Sequence, residues 1–120
     1  MTPSRAEVEA LLPLPLATFH ILLALADDDR HGYAILQEVE RRTGGELRLS
    51  AGTLYRSIQR MLEDGLIVER RERPAPAEDD ERRRYYGLTA LGGAVARAEA
   101  ARLSSLVRMA RAKGLAPGRA

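Results

Sequence analysis

A mainly α-helical fold with one small β-hairpin is what this 120-residue sequence predicts. Three stretches predict it. SAGTLYRSIQRMLEDG carries a serine to cap a helix and a glycine to end it; LIVERRER and ERRRYYGL are strand-like runs on either side of PAPAEDD; and from Thr89 to Lys113 apolar residues recur at helical spacing.

Taken in order, residues 1–12 form a short helix or a loose arm, because Val8, Leu11 and Leu12 fall near one helical face, and Pro13 and Pro15 end it. Leu16 to Ala26 is apolar almost all round, through Phe19, Leu22, Leu23 and Leu25, which is the pattern of a helix buried between neighbours. Asp27, Asp28 and Asp29 mark the turn out. A second long helix fits His31 to Thr43, with Ile35, Leu36 and Val39 on one face and Gln37 and Arg41 opposite; His31 helps to start it and the Gly44-Gly45 pair stops it. ELRLS then alternates polar and apolar, so a very short strand is predicted before Ser50.

Ser50 caps the next helix, which runs to about Asp64. At 100° per residue Leu54, Ile58, Met61 and Leu62 cluster on one face and Thr53, Arg56, Gln59, Arg60 and Glu63 on the other, and Gly65 ends it. The two strand-like runs form a hairpin whose tip is broken by Pro74 and Pro76. In its returning strand Tyr86 and Leu88 face the core and Arg83 and Tyr85 face away. Thr89 caps the last helix, which bears Leu91, Val95, Leu103, Leu106 and Met109 on a broad apolar stripe, with Arg97, Arg108 and Arg111 away from it. GLAPGRA reads as a frayed tail. The implied division is an arm or short helix at 1–15, a winged helix-turn-helix domain at 16–88, a C-terminal dimerisation helix at 89–113 and a disordered tail at 114–120. In that arrangement the helix after Ser50 enters a DNA major groove and the hairpin is the wing.

Composition narrows the function classes. A chain this short has a core barely sufficient alone, so a second subunit would help stabilise it. Its formal charge is only +2, but Lys113 is the single lysine among 19 basic residues; arginine offers planar bidentate contacts to phosphate and guanine, and the same bias also follows from a GC-rich genome. With no cysteine, disulfides, thiolate metal sites and cysteine nucleophiles are excluded. His20 and His31 lack ligand spacing, and no serine, carboxylate pair or glycine-rich loop has a catalytic context, so neither an enzyme nor a metal or other cofactor is expected. The longest apolar run is shorter than the about 20 residues of a membrane span and is broken by prolines, which points to a soluble cytoplasmic protein.

HGYAI at 31–35, SAGTLYRSIQRMLEDGLI at 50–67 and RRYYGLTALG at 83–92 resemble the three signature stretches of the PadR-like bacterial transcriptional regulators, across roughly His20 to Gly92. The resemblance implies a dimeric winged-helix repressor whose C-terminal helix packs against the first helix of its partner. It also implies, for many members, release by phenolic acids, drugs or other small apolar ligands. Arg56 stands where many members have proline after GTLY, and no tryptophan is present to stack a flat ligand.

The candidate DNA-binding set begins with Thr53, Arg56, Gln59 and Arg60, for base-edge and phosphate contacts, with Arg56 and Gln59 best placed to discriminate bases. A merely solvated helix face has the same composition; the cap at Ser50, the stop at Gly65 and the following hairpin favour the DNA reading. Ser50 joins the set as the first residue of that unit. Tyr55 and Tyr33 reach phosphate through their hydroxyls or simply seal the edge of the core. Arg71, Arg73, Arg82 and Arg83 on the hairpin approach DNA, while the acidic tip, Glu78 to Glu81, bends away or pairs with them. Residues 31–73 hold eight arginines against seven acids, whereas residues 89–120 hold six basic residues and one acid, an excess read as keeping a dimer helix soluble. Glu99 and Arg102, three apart within the apolar stripe, pair in the helix, pair across the dimer or face a cavity. Phe19, Leu22, Leu23, Val95, Glu99, Leu103 and Leu106 line either a ligand pocket between two subunits or an ordinary dimer core. The expected partners are double-stranded DNA with a two-fold related site, a second copy of the chain, and a small apolar or aromatic effector, with no membrane. The rival is a winged-helix module that binds another protein.

Overall fold

The computed structural model describes residues 2–70 and 84–117. Ser4 opens α1 (Arg5–Glu9) with a reciprocal cap: its Oγ accepts from the Glu7 N–H at 3.0 Å, and its own N–H donates to Glu7 Oε1 at 2.7 Å. Pro15 stands at the N-cap of α2 (Leu16–Leu25), where a missing N–H does no harm. Ile21, Leu22, Ala24 and Leu25 are buried, but Leu16 is 65% and Leu23 36% exposed. Helix α2 is therefore not enclosed all round, as its composition predicted; its neighbours α3, α4 and α5 leave one side of it open.

The predicted strand at ELRLS does not form. Residues 47–50 belong to no helix or strand and pair with none of the described strands, and the short strand lies earlier, as β1 (Arg30–His31). Strands β2 (Ile67–Arg70) and β3 (Tyr85–Leu88) make the hairpin, and β1 pairs with the free edge of β3, giving a three-stranded antiparallel sheet in the order β1-β3-β2. Both edges of β3 are thereby taken. The alternation in ELRLS instead lets Leu47 and Leu49 pack against the core, and the Leu47 N–H donates to Thr43 Oγ1 at 3.1 Å.

His31 is the N-cap of α3 (Gly32–Arg42), its Nδ1 accepting from the Ala34 N–H at 3.2 Å. Ser50 caps α4 (Ala51–Glu63) by accepting from the Thr53 N–H at 3.0 Å. At the far end Gly65 has φ of 79°, a left-handed geometry that a side chain resists, and the Leu66 N–H returns to the Met61 carbonyl at 2.9 Å. Three residues, Asp64, Gly65 and Leu66, then carry the chain from the end of α4 into β2.

Thr89 caps α5 (Ala90–Ala112) by accepting from the Gly92 N–H at 2.9 Å and also donates to the Gly65 carbonyl at 2.6 Å. One side chain thus ties the end of α4 to the start of α5. The tail is not frayed as far as Pro117: the Leu115 N–H donates to the Ala110 carbonyl at 2.8 Å and Arg111 Nε to the Pro117 carbonyl at 3.0 Å. The core gathers Ile21, Leu22 and Leu25 of α2, Ile35 and Val39 of α3, Leu54, Ile58 and Met61 of α4, and Val95 of α5 around Tyr86 of the sheet. Beyond this core the outer part of α5 is bare, with Leu106, Val107 and Met109 about half exposed.

Candidate nucleic-acid interface

Helix α4 divides as its periodicity predicts. Leu54, Ile58 and Met61 point inward and are at most 2% exposed, while Tyr55, Arg56, Gln59 and Arg60 are exposed on the opposite side. The cap orders the start of that face. Ser50 Oγ bonds to Thr53 Oγ1 at 3.1 Å, and Arg56 Nη2 donates to the same Thr53 oxygen at 3.4 Å. Ser50, Thr53 and Arg56 therefore form one polar chain along the first turn and a half. Arg60 lies 3.8 Å from Asp64, in an exposed pair that stabilises little.

The surrounding arginines are mostly engaged within the protein. Glu38, on α3, accepts from Arg41 at 2.8 Å and Arg42 at 3.1 Å, with Arg30 at 3.9 Å, and the Arg41 hydrogen bond above all holds its carboxyl below the usual range, against the effect of burial. Arg48 pairs with Glu40 and Arg84 with Glu69, each at 3.3 Å. Among the described residues Arg56 has no carboxylate within ion-pair distance, so its charge is left for a ligand. Local charge balance in the sequence hides this, because the acids are placed on other arginines.

Tyr33 is 62% and Tyr55 50% exposed, and both stand by the start of α3. Tyr55 is held there by Gly32: a Cβ at that position would meet the Tyr55 hydroxyl and stand 2.9 Å from Cζ. This contact joins two helices and has no signal in HGY itself. Gly32→Ala is expected to swing the Tyr55 ring off α3 while moving unfolding free energy by less than about 1 kcal/mol, because the displaced atoms end a flexible side chain. Unchanged Tyr55 ring resonances in the variant would contradict the contact.

Between α4 and the hairpin runs a groove of about 350 Å³, walled by Tyr55, Gln59 and Leu62 on one side and Glu69, Arg84 and Tyr86 on the other. Arg71, Arg73, Arg82 and Arg83, together with the acidic tip, lie outside the described residues. Thus Ser50, Thr53, Tyr55, Arg56, Gln59 and Arg60 share one helix, and Tyr33 joins them through the Gly32–Tyr55 contact.

The suggested ligand walls separate instead. Leu22 and Val95 have no exposure and Glu99 only 3% within the single chain, which places them in its own core. Phe19 and Leu103 are half-buried and Leu23 and Leu106 exposed, which leaves these four on the surface of α2 and α5. Glu99 pairs within its own helix: Arg102 Nε donates to Oε1 at 2.9 Å and Nη2 to Oε2 at 2.8 Å.

A helix-turn-helix followed by a hairpin, with a capped helix presenting Thr53, Arg56 and Gln59 beside that hairpin, defines a winged-helix transcriptional regulator. Residues 21–98 match the Transcriptional regulator PadR-like family, and the chain belongs to that family. It is 35% identical over 89 residues to the transcriptional regulator Rv3488 of Mycobacterium tuberculosis, covering 74% of this chain and 77% of that one. It is 36% identical over 74 residues to an uncharacterised protein of Lysinibacillus sphaericus, covering 62% of this chain and 65% of that relative's length. Two solved structures share the fold. A PadR family transcription regulator from Clostridium difficile superposes with a TM-score of 0.66 at 23% identity, covering 81% of this chain and 96% of that one. Bacillus subtilis PadR in complex with operator DNA gives 0.59 at 18% identity, covering 69% of this chain and 46% of that one.

Proposed function

We propose that the protein is a homodimeric repressor that reads a two-fold related DNA site, with α4 of each copy in the major groove of one half-site. The observation that carries this reading is the exposed face of α4, where Arg56 is held on Thr53, free of ion pairs among the described residues, beside Gln59. The DNA complex of Bacillus subtilis PadR supports it by likeness of fold. Dimerisation is supported by Leu106 and Met109, three apart on one face of α5, which the rest of the described chain leaves about half exposed.

Release by a small apolar effector finds support in a different place from the one the sequence indicated. A cleft of about 520 Å³ lies between residues 10–15 and the back of α4, with Leu12, Met61 and Leu66 as apolar wall and Arg56 and Arg60 at its margin. A ligand there would act on the reading helix directly. It would favour release only by binding the DNA-incompetent arrangement more tightly than the competent one.

Arg56→Ala is expected to weaken specific duplex binding by about 1–3 kcal/mol and to relax preference at one base position. Titration of an enriched duplex and its single-base variants measures both. Unchanged affinity and preference would remove Arg56 from the interface.

A further inference from the structure

The two outer strands of the sheet are joined across the middle one. Asp29 immediately precedes β1 on one edge and Arg70 ends β2 on the other, yet Arg70 Nε lies 3.1 Å from Asp29 Oδ2. The pair crosses β3 over Gly87, in register with Val68. A Cβ at Gly87 would meet Asp29 Oδ1 and stand only 2.6 Å from Arg70 Nε and 2.9 Å from Asp29 Cγ. The missing side chain is therefore what lets the two charges reach each other, and they in turn cover Gly87, which is buried.

We propose that Asp29, Gly87 and Arg70 form a strap that fixes the hairpin to the turn between α2 and α3, and that Arg70 is a positioning residue for the wing instead of a phosphate contact. The inference rests on the DNA-binding reading for its functional consequence but not for its geometry. Asp29 sits at the start of the segment that leads through β1 into α3, and α3 braces α4 through Gly32 and Tyr55. The strap therefore sets the position of the hairpin relative to the reading helix. It also removes one arginine charge from the hairpin's outer face, where an arginine-rich strand alone would suggest another phosphate contact.

The test uses Asp29→Ala, Arg70→Ala and Gly87→Ala in the full chain. The last changes no charge. Without DNA, all three are expected to speed amide hydrogen exchange at Val68, Glu69 and Gly87 while leaving α4 protected, and Asp29→Arg combined with Arg70→Asp is expected to restore protection. Unchanged exchange in the hairpin would overturn the strap. With a duplex enriched from a random library as probe, all three are expected to lose affinity by a similar factor, up to about fivefold, the scale of one exposed ion pair. The slope of log affinity against log salt should stay that of the parent protein. A phosphate contact gives a different pattern: Arg70→Ala alone would flatten that slope by about 0.9, and Asp29→Ala would bind as well as the parent or better. That pattern would overturn the positioning role. If the parent binds no duplex, the DNA-binding reading fails, and the exchange measurement still decides the strap.

Discussion

Gly92→Ala is expected to destabilise the protein by about 2–4 kcal/mol, the opposite sign from the same change in an open helix, where alanine is favoured by about 1 kcal/mol. The reason lies in what faces Gly92. A Cβ there would meet the Leu66 carbonyl oxygen and stand 3.0 Å from its carbon, so the obstacle is backbone and cannot rotate aside. That carbonyl also accepts from the Thr89 N–H at 3.2 Å, and the Thr89 hydroxyl, 2.6 Å from the Gly65 oxygen and 3.1 Å from the Leu66 oxygen, shares its single proton between them. Pushing α5 away thus disturbs the hydrogen bonds that join it to the end of α4, each worth about 1 kcal/mol. A melting temperature lower by roughly 10 °C is expected. Gly93→Ala is the control, since among the described residues only Arg97 Nη1, at 3.7 Å, comes near its Cβ position. Equal melting temperatures for the two variants would contradict the close approach at Gly92.

The second large effect is at Glu99. Its carboxylate is 3% exposed and held below the ordinary range by the Arg102 hydrogen bonds, against burial, with the Leu14 backbone amide contributing less. Arg102→Ala leaves that carboxylate buried without its cation, a penalty of about 2–4 kcal/mol for Glu99. Glu99→Gln is expected to be milder, because the Arg102 side chain is 36% exposed and can turn to water. The signs with pH are opposite in parent and variant. In the parent, the depressed Glu99 pKa gives stability that is present above the unfolded value and lost as pH falls through the folded one. In Arg102→Ala burial raises that pKa, so the penalty is full at neutral pH and relieved on acidification. Denaturant unfolding at pH 7 and pH 4 should therefore show the gap between parent and variant closing. A gap independent of pH would place the source elsewhere.

Helix limits were legible because their signals are local. His31, Ser50 and Thr89 each accept the hydrogen bond that a first helical turn leaves free, and Gly65 supplies the conformation that ends α4, whereas the Ser4 cap of α1 was not read from the sequence. Strand β1 was not legible, since two residues carry no alternation. It forms because β3 has a spare edge and because the His31 ring meets Tyr85 edge-on at 5.4 Å. ELRLS has the alternation but pairs with none of the described strands, and Leu47 and Leu49 pack on the core instead. Periodicity likewise found the apolar stripe of α5 without telling which part its own chain covers: Val95 is enclosed and Leu106 is not. The same limit separates Gly92 from Gly93, which are indistinguishable in sequence.

Of the candidate site, the outward face of α4 followed from helical phase alone. The ion pairs around it were legible only in part: Glu38 with Arg41 and Arg42 follows from spacing within one helix, whereas Arg48 with Glu40 and Arg30 with Glu38 depends on the folded chain. The Asp29–Arg70 pair joins residues far apart in sequence, over a glycine that in YYGLT has no visible purpose.

Selection of bound duplexes from a random library at about physiological salt, with the mass of the purified protein in solution recorded alongside, tests the central claim most directly. A dimer that enriches an inverted repeat, with half-sites about one helical turn apart, is the predicted result. A folded protein that enriches no sequence would contradict it.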